Sequence, residues 1–185
     1  VVIGDPVNGR GYDVEDLKKG GNGYVPMSLQ YGDYTATDAR KVSLAGGDPK
    51  ERTSNRSYRG KTVKTENITD IQLVAETKSA MKDKPLVVIL SCQKPVVLGE
   101  FEKYADAILV SFGVEPQAYL DVISGQYEPS GLLPVQFPAD MKTVEIKNNK
   151  LFVVGYNKEH YEIAVNEKGK ENSFDTASQL LAILV

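Results

Sequence analysis

The chain has 185 residues, of which 41% are hydrophobic and 25% are charged, with a single cysteine and a formal net charge of −3. This composition excludes a disordered chain, and the lone Cys92 excludes a disulfide within the chain. The near balance of 22 basic and 25 acidic side chains argues against nucleic acid as a partner. No apolar run approaches the roughly 18 residues of a membrane-spanning helix, so no membrane partner is expected either.

The two ends of the chain are apolar. Val1–Ile3 is typical of a buried β-branched strand with no leader before it, and residues 180–185 form an apolar run without a polar tail. We therefore expect a single domain, 1–185, that is a fragment of a larger enzyme.

Residues 4–64 form a glycine- and tyrosine-rich segment that follows the first strand. The first sixty residues contain ten of the sixteen glycines and five of the ten tyrosines. Turn dipeptides are dense there, and neither a period of 2 nor one of 3.6 is visible. A loop of this length is typically functional or disordered. Because tyrosines and aliphatic side chains are interspersed, we predict an ordered functional loop that packs along the carboxyl ends of the strands.

Residues 65–140 alternate between helical and extended patterns. Thr69-x-x-Gln72 has the spacing of a capping box at a helix start, and Pro116 and Gly125 bracket another helix. The first predicted element is a helix that starts at Thr69 and is broken at Lys84-Pro85. It is followed by a strand over 86–90, a helix over 96–104, a strand over 107–110, a helix over 116–125 and an extended segment over 132–137.

This order predicts an α/β fold, a three-layer sandwich whose mainly parallel sheet is flanked by helices, with the long loop after the first strand. The strands are continuous apolar runs, as burial on both faces requires. Residues 141–185 have no clear assignment beyond a strand over 151–154 and a hairpin-like partner over 161–165.

Residues 84–140 carry a resemblance to a known family. Asp121-Val122-Ile123-Ser124-Gly125 is followed by Pro129-Ser130-Gly131-Leu132-Leu133-Pro134-Val135 and then by Phe137-Pro138. With Lys84–Ser91, Lys94–Val97 and Ala105–Leu109 before them, these motifs resemble the C-terminal α/β-sandwich domain of glycoside hydrolase family 3, the β-glucosidase-like enzymes. The runs 21–31 and 55–61 resemble a subgroup of that family with a long insertion.

The resemblance implies the second domain of a retaining β-glycosidase, whose substrate is a β-linked glucoside or oligosaccharide. Such enzymes use two carboxylates, a nucleophile and a general acid/base. In the resembled family the nucleophile lies on a preceding barrel domain, which this chain lacks, so the chain alone should be inactive. The second domain commonly supplies the acid/base from a loop. The resemblance also favours a secreted or periplasmic location.

Three carboxylates in residues 4–64 are candidates for the acid/base. Asp48 lies in Gly46-Gly47-Asp48-Pro49, where it could equally form an Asx-turn before the proline. Glu51 has arginines nearby that could tune it, but a solvated loop glutamate is an equally simple interpretation. Asp13 precedes Val14-Glu15-Asp16 and could instead cap a helix.

Sugar binding calls for aromatic faces and planar hydrogen-bonding groups. The residues that would supply them are Tyr24, Tyr31, Tyr34 and Tyr58, with Asn55 and Arg56. The alternative is that the tyrosines hold the loop against the domain. A non-catalytic carbohydrate-recognition domain therefore competes with the enzyme hypothesis, and a flavodoxin-like phosphate binder is a third possibility from topology alone.

No cofactor or metal is expected. His160 is the single histidine and has no ligand spacing around it, and Gly9-x-Gly11 lacks the third glycine of a dinucleotide motif. Cys92 closes a buried strand and is interpreted as an inert small hydrophobe.

Overall fold

The strands and helices are built largely from the apolar runs of the sequence. The computed structural model describes residues 1–43, 55–128, 137–138 and 140–145, together with a strand at 181–184. In chain order the elements are β1 (Val2–Gly4), α1 (Val14–Lys18), β2 (Tyr34–Thr35), β3 (Thr62–Val63), α2 (Thr69–Met81), β4 (Val87–Ser91), β5 (Ala107–Ser111), α3 (Pro116–Ile123), α4 (Met141–Glu145) and β6 (Leu181–Leu184).

The larger sheet is parallel throughout its four strands, in the order β1-β4-β5-β6. Its register places Ile3 beside Leu90, Leu90 beside Val110, and Val110 beside Ile183. Helices α2 and α3 lie in the connections between successive strands. The predicted α/β fold with a mainly parallel sheet and helices is therefore confirmed.

Both faces of the central strands are buried. Side chains alternate along a strand, so Ile89 and Leu109 point to one face and their neighbours to the other. The second face joins the main core, where Val74 of α2 and Phe101 pack. The strand residues of that core are Ile3, Val88, Leu90, Ile108 and Val110. Ile89 and Leu109 are also at most 5% exposed, as a sheet covered on both sides requires.

The sequence signals for helix ends are correct for α3 but not for the start of α2. Helix α3 begins at Pro116 and is followed by Gly125 with φ of +77°, as predicted. Helix α2 is present where a helix is predicted and ends at Met81, before Lys84-Pro85. Its N-cap is Ile68, which has no capping hydrogen bond, and Thr69 is already helical. The predicted capping box is therefore wrong. The Asn67 carbonyl instead accepts from the Asp70 N–H, so the chain turns into the helix one residue earlier.

The helix predicted over 96–104 is also wrong. Two 3₁₀ turns, Leu98–Glu100 and Glu102–Tyr104, stand in its place. Phe101 lies between them with φ of −132°, outside the helical range, and its ring is fully buried. Gly99 is a weak helix former, and placing the Phe101 ring in the core takes precedence over continuing a helix.

Residues 4–64, here called the glycine-rich segment, contain α1 and the antiparallel pair β2–β3. Residues 44–54 of the segment lie outside the described part, so the prediction of one ordered loop is not decided. A second small core lies beside β2–β3 and includes Tyr34, Val63, Val97 and Met141 of α4.

The strands predicted over 151–154 and 161–165 lie outside the described residues, as does 132–136. Phe137, the last residue of that extended segment, is buried in the main core. Strand β6 was not predicted, since the apolar run at 180–185 was interpreted only as an abrupt end. Among the described helices, none has the length and apolar character needed to cross a membrane.

Candidate functional site

The glycine-rich segment is fastened to the carboxyl ends of β1 and β4. The Tyr31 hydroxyl donates to the carbonyl oxygen of Gly4, the last residue of β1. The Gln93 N–H, just past β4, donates to Asp5 Oδ2 at 3.2 Å, and Lys94 Nζ donates to the Pro6 carbonyl at 2.7 Å. The carboxyl edge of an open parallel sheet is where ligands usually bind in α/β folds. We therefore take the described parts of the segment as the candidate site.

Two polar side chains hold the middle of the segment in place. Both carboxylate oxygens of Glu100 accept from backbone N–H groups, one from Tyr31 at 2.6 Å and one from Gly32 at 2.8 Å. Buried Asn8 exchanges two hydrogen bonds with the backbone of Ser28, at 2.6 and 3.2 Å. Buried backbone groups need such partners where no strand supplies them.

A charged cluster connects the two ends of the segment. Lys61 Nζ donates to Asp16 Oδ2 at 2.6 Å and also to Asn22 Oδ1. The Gly23 N–H donates to the same Asp16 oxygen at 2.8 Å. We call Asp16, Asn22 and Lys61 the clasp. The side chains of Asp16 and Lys61 are only about one-fifth exposed, at 22% and 23%.

The hydrogen bond from Lys61 holds the pKa of Asp16 below its ordinary value, with help from the Gly23 N–H. A general acid must instead keep its proton until it reaches the substrate. Asp16 is therefore suited to anchoring the segment and poorly suited to acid catalysis.

Glycine is required at positions 21 and 23 because side chains of other residues lie too close to the backbone there to leave room for a Cβ atom. A Cβ on Gly21 would lie 2.2 Å from the Asp16 carboxylate, and one on Gly23 would lie 2.6 Å from the Tyr12 ring. Gly23 also has φ of +79°, which side-chain-bearing residues rarely adopt. The run Gly20-Gly21-Asn22-Gly23 thus lets a carboxylate and a ring lie directly on the backbone.

An aromatic group lies next to the clasp. The rings of Tyr12 and Tyr24 meet edge to face, with centroids 5.4 Å apart and planes at 86°. The Arg56 guanidinium lies over the Tyr24 ring at 5.6 Å from its centroid, a cation–π arrangement. Asn22 joins these partners, because its Nδ2 donates to the carbonyls of Asn55 at 2.8 Å and Ser57 at 2.7 Å.

Asn55 ties together the two flanks of the stretch 44–54. Its Oδ1 accepts from the Ser43 N–H at 2.9 Å, and its Nδ2 donates to the Lys41 carbonyl at 3.0 Å. Ser57 adds a bond from its hydroxyl to the Arg40 carbonyl. Residues 43 and 55 are thus held side by side.

Of the three predicted acid/base residues, the structure describes only Asp13. Asp48 and Glu51 lie outside the described residues. Asp13 is the N-cap of α1, where its Oδ1 accepts from the Glu15 N–H at 2.8 Å, so the capping alternative is the role that the structure displays. Its catalytic role stays a prediction.

The predicted sugar-binding residues separate into two groups. Arg56 lies over the Tyr24 ring, and Tyr58 is 39% exposed two residues further on. The Asn55 side chain bonds to backbone groups of Ser43, Lys41 and Ser57. Tyr31 is fully buried against Phe101, with centroids 6.1 Å apart and planes at 83°. That ring supports the core, which is the alternative that the sequence left open for the tyrosines.

The sequence did not single out Asp16, Asn22, Lys61 or Tyr12. The signal that was available is the Gly20-Gly21-Asn22-Gly23 run, since glycines at such density indicate a close approach to backbone. Within the described residues, no group of three or more His, Cys, Asp or Glu side chains could hold a metal ion. Cys92 is buried, and its pKa is raised to about 11 by burial and by the nearby Asp5 carboxylate.

Comparison with known proteins gives a consistent result. The family model described as glycosyl hydrolase family 3 C-terminal domain matches residues 34–174. Beta-glucosidase C of Emericella nidulans is 36% identical over 67 residues, which are 36% of this chain and 11% of that protein. The periplasmic beta-glucosidase of Salmonella typhimurium is 38% identical over 85 residues, which are 43% of this chain and 11% of that protein.

The probable beta-glucosidase C of Aspergillus oryzae is 36% identical over 61 residues, 33% of this chain and 10% of that protein. The chain thus spans about a tenth of the length of the curated relatives that it matches. No solved structure gives a significant match.

Proposed function

This chain belongs to the glycosyl hydrolase family 3 C-terminal domain family, and on that premise we propose that it is the second domain of a retaining β-glycosidase. The relatives that match it are named as beta-glucosidases, which supports a β-linked glucoside or oligosaccharide as substrate. A barrel domain earlier in the same polypeptide would be its partner. One relative is named as periplasmic, which favours a secreted or periplasmic location.

The chain's own contribution is the general acid/base and part of the sugar site. Within the stretch 44–54, Asp48 is the first candidate for the acid/base and Glu51 is the second. Asp13, which lies outside that stretch at the start of α1, is the third. The observation that carries the placement in 44–54 is Asn55, which bonds to both Ser43 and Lys41 and so anchors the two flanks of the stretch. An acid/base that must be positioned at a glycosidic bond bound by another domain needs a loop whose two ends are held rigidly.

In the proposed reaction a carboxylate of the barrel attacks the anomeric carbon and forms a covalent glycosyl-enzyme. The acid/base of this chain donates its proton to the leaving oxygen as the glycosidic bond breaks. It then takes a proton from the water that releases the sugar. The two carboxylates of a retaining enzyme stand about 5–5.5 Å apart, so the proposal requires the acid/base of this chain to lie that close to the nucleophile of the barrel.

Sugar contacts are assigned to Arg56, Asn55 and Tyr58. Arg56 lies over the Tyr24 ring and Asn55 precedes it in the chain, so planar polar groups and an aromatic ring, the combination that suits a pyranose, occur close together. Tyr31 is left out because its ring is buried. The same contacts would serve a non-catalytic carbohydrate-recognition domain, so the test must separate binding from catalysis.

The test uses the full-length polypeptide that carries this chain, with Asp48→Ala, Glu51→Ala and Asp13→Ala. One of them should lower kcat/KM by orders of magnitude on cellobiose, whose leaving group needs a proton, and far less on an aryl glucoside with an activated leaving group. The exposed Glu76, on α2, provides the matched control Glu76→Ala, which should change neither.

Equal activity of all variants on both substrates would show that this chain does not supply the acid/base. Hydrolysis of an aryl β-glucoside by the 185-residue chain alone would show that the two-domain proposal is wrong.

A further inference from the structure

Tyr12 is an exposed aromatic residue whose ring is held in one position. It lies so close to Gly23 that a Cβ there would come within 2.6 Å of the ring. Its neighbour across the chain is Tyr24, which meets it edge to face at 5.4 Å. Backbone hydrogen bonds fix the pair on both sides, from Asp13 N–H to the Gly23 carbonyl and from Val25 N–H to the Gly11 carbonyl.

This fixed ring contributes to neither core. Tyr12 is 48% exposed, whereas Tyr31 and Tyr34 of the same segment are buried in the main and second cores. A ring that only anchored the segment would be expected to bury most of its area, because burial is what an aromatic side chain contributes to stability. An exposed ring in a fixed position can instead receive a flat apolar ligand with little loss of side-chain entropy.

Polar groups lie next to Tyr24, the aromatic partner of Tyr12. Arg56 lies over Tyr24, and Asn22 links residues 22–24 to the carbonyls of Asn55 and Ser57. The aromatic pair is thus continuous with the residues assigned above to sugar contacts. An apolar surface bordered by such groups suits a ligand with apolar faces and a polar rim.

We propose that Tyr12 is a specificity-determining residue, a stacking platform for a sugar ring beyond the one that contacts Arg56. This inference rests on the proposed function and names a residue that favours longer substrates. In a β-linked glucose unit the hydroxyls are equatorial, and both faces of the ring present C–H groups. Such a face packs on an aromatic ring, while the hydroxyls at its rim bond to amide and guanidinium groups.

The experiment compares Tyr12→Ala with Tyr12→Phe in the full-length polypeptide. Substrates are β-1,4- and β-1,3-linked glucotetraoses and an aryl β-glucoside. For Tyr12→Ala, the ratio of kcat/KM on the better tetraose to kcat/KM on the aryl glucoside should fall about tenfold, through KM. Tyr12→Phe keeps the ring and should retain most of that ratio.

Tyr127→Ala is the matched control, since Tyr127 is 69% exposed and follows α3, outside the glycine-rich segment. It should leave the ratio unchanged. Thermal unfolding of each variant separates a misfolded protein from one that has lost only the platform.

Two outcomes would overturn the platform while leaving the proposed function intact. One is an unchanged ratio in a folded Tyr12→Ala enzyme. The other is equal loss for Tyr12→Phe, which would mean that the hydroxyl and not the ring is needed.

If the polypeptide hydrolyses none of the substrates, the proposed function fails, and the platform is tested by calorimetric binding of thio-linked glucotetraoses. There, Tyr12→Ala should weaken binding about tenfold, and undiminished binding or no binding by the unaltered protein would refute the platform.

Discussion

The parallel sheet and the glycine-rich segment are held together by different interactions. In the sheet, Val88, Leu90, Ile108 and Val110 are essentially excluded from solvent, and the backbone groups bond from strand to strand. In the segment, polar side chains supply the backbone hydrogen bonds that a neighbouring strand supplies in a sheet. Side chains that bond to its backbone include Asn8, Asn22, Asn55, Asp16 and Glu100.

The difference determines what each region is sensitive to. Apolar packing depends on volume and hardly on pH, whereas a clasp built on a carboxylate and an ammonium group depends on both charge states. A segment with little regular structure can also place unlike groups next to one another, as the clasp and the Tyr12–Tyr24 pair show. We therefore expect substitutions in the two regions to differ in size and in pH dependence.

The largest effect on stability is expected in the sheet core. Phe101→Ala removes a fully buried ring between two 3₁₀ turns and should lower the free energy of unfolding by about 3–5 kcal/mol. Leu120→Ala, at a position that is 52% exposed on α3, is the control and should cost under about 1 kcal/mol. Urea unfolding at pH 7 and pH 4 measures both. A loss for Phe101→Ala that matched the control would show that this core tolerates cavities.

An intermediate effect is expected at the clasp. Lys61→Met leaves Asp16 and Asn22 without their shared donor and should cost about 1–2 kcal/mol at neutral pH. Because the folded-state pKa of Asp16 is lowered, the clasp contributes stability above the unfolded-state pKa and loses it as the pH falls through the folded value.

The difference in unfolding free energy between the Lys61→Met variant and the unaltered protein should therefore shrink below about pH 4. Lys18→Met is the matched control, since Lys18 pairs with Glu15 on the exposed surface of α1. Unfolding curves from pH 3 to pH 7 make the comparison. A difference that stayed constant across that range would show that Asp16 is not the group that titrates.

The smallest effect on stability is expected at Asp13, where substitutions can separate a helix-capping role from a catalytic role. Asp13→Ala should cost about 0.5–1 kcal/mol, because the five-residue helix α1 loses its capping oxygen. Asp13→Ser keeps a capping oxygen without a carboxylate and should restore most of that loss. If Asp13→Ser in the full-length polypeptide nevertheless lost glycosidase activity, the third acid/base candidate would become the first.

The sequence predicted the sheet better than it predicted the site. Continuous apolar runs located β4 and β5, and proline and glycine located both ends of α3, because these signals depend on neighbours along the chain. The helix over 96–104 failed because burial of Phe101 outweighed local propensity. The prediction of a capping box at Thr69 was wrong because the first residue of the motif lies one position after the N-cap residue, Ile68.

In the glycine-rich segment the sequence identified the residue types but not their partners. Arg56 and Tyr24 are both predicted as sugar contacts from their chemistry, and the Arg56 guanidinium lies over the Tyr24 ring. The Asn55 side chain bonds to backbone groups on either side of 44–54 instead. The exposed ring next to Tyr24 is Tyr12, which is not among the predicted residues. Tyr31 was selected and is buried.

By itself the amino-acid sequence determined the α/β class, the parallel strands and the family, because apolar runs and ordered motifs are local properties that survive without knowledge of contacts. Only the tertiary structure decided which tyrosines are buried, that Lys61 meets Asp16 across 45 positions, and that Asn55 joins the flanks of 44–54. Those contacts link residues far apart in an irregular segment, where no periodicity relates position in the chain to position in space.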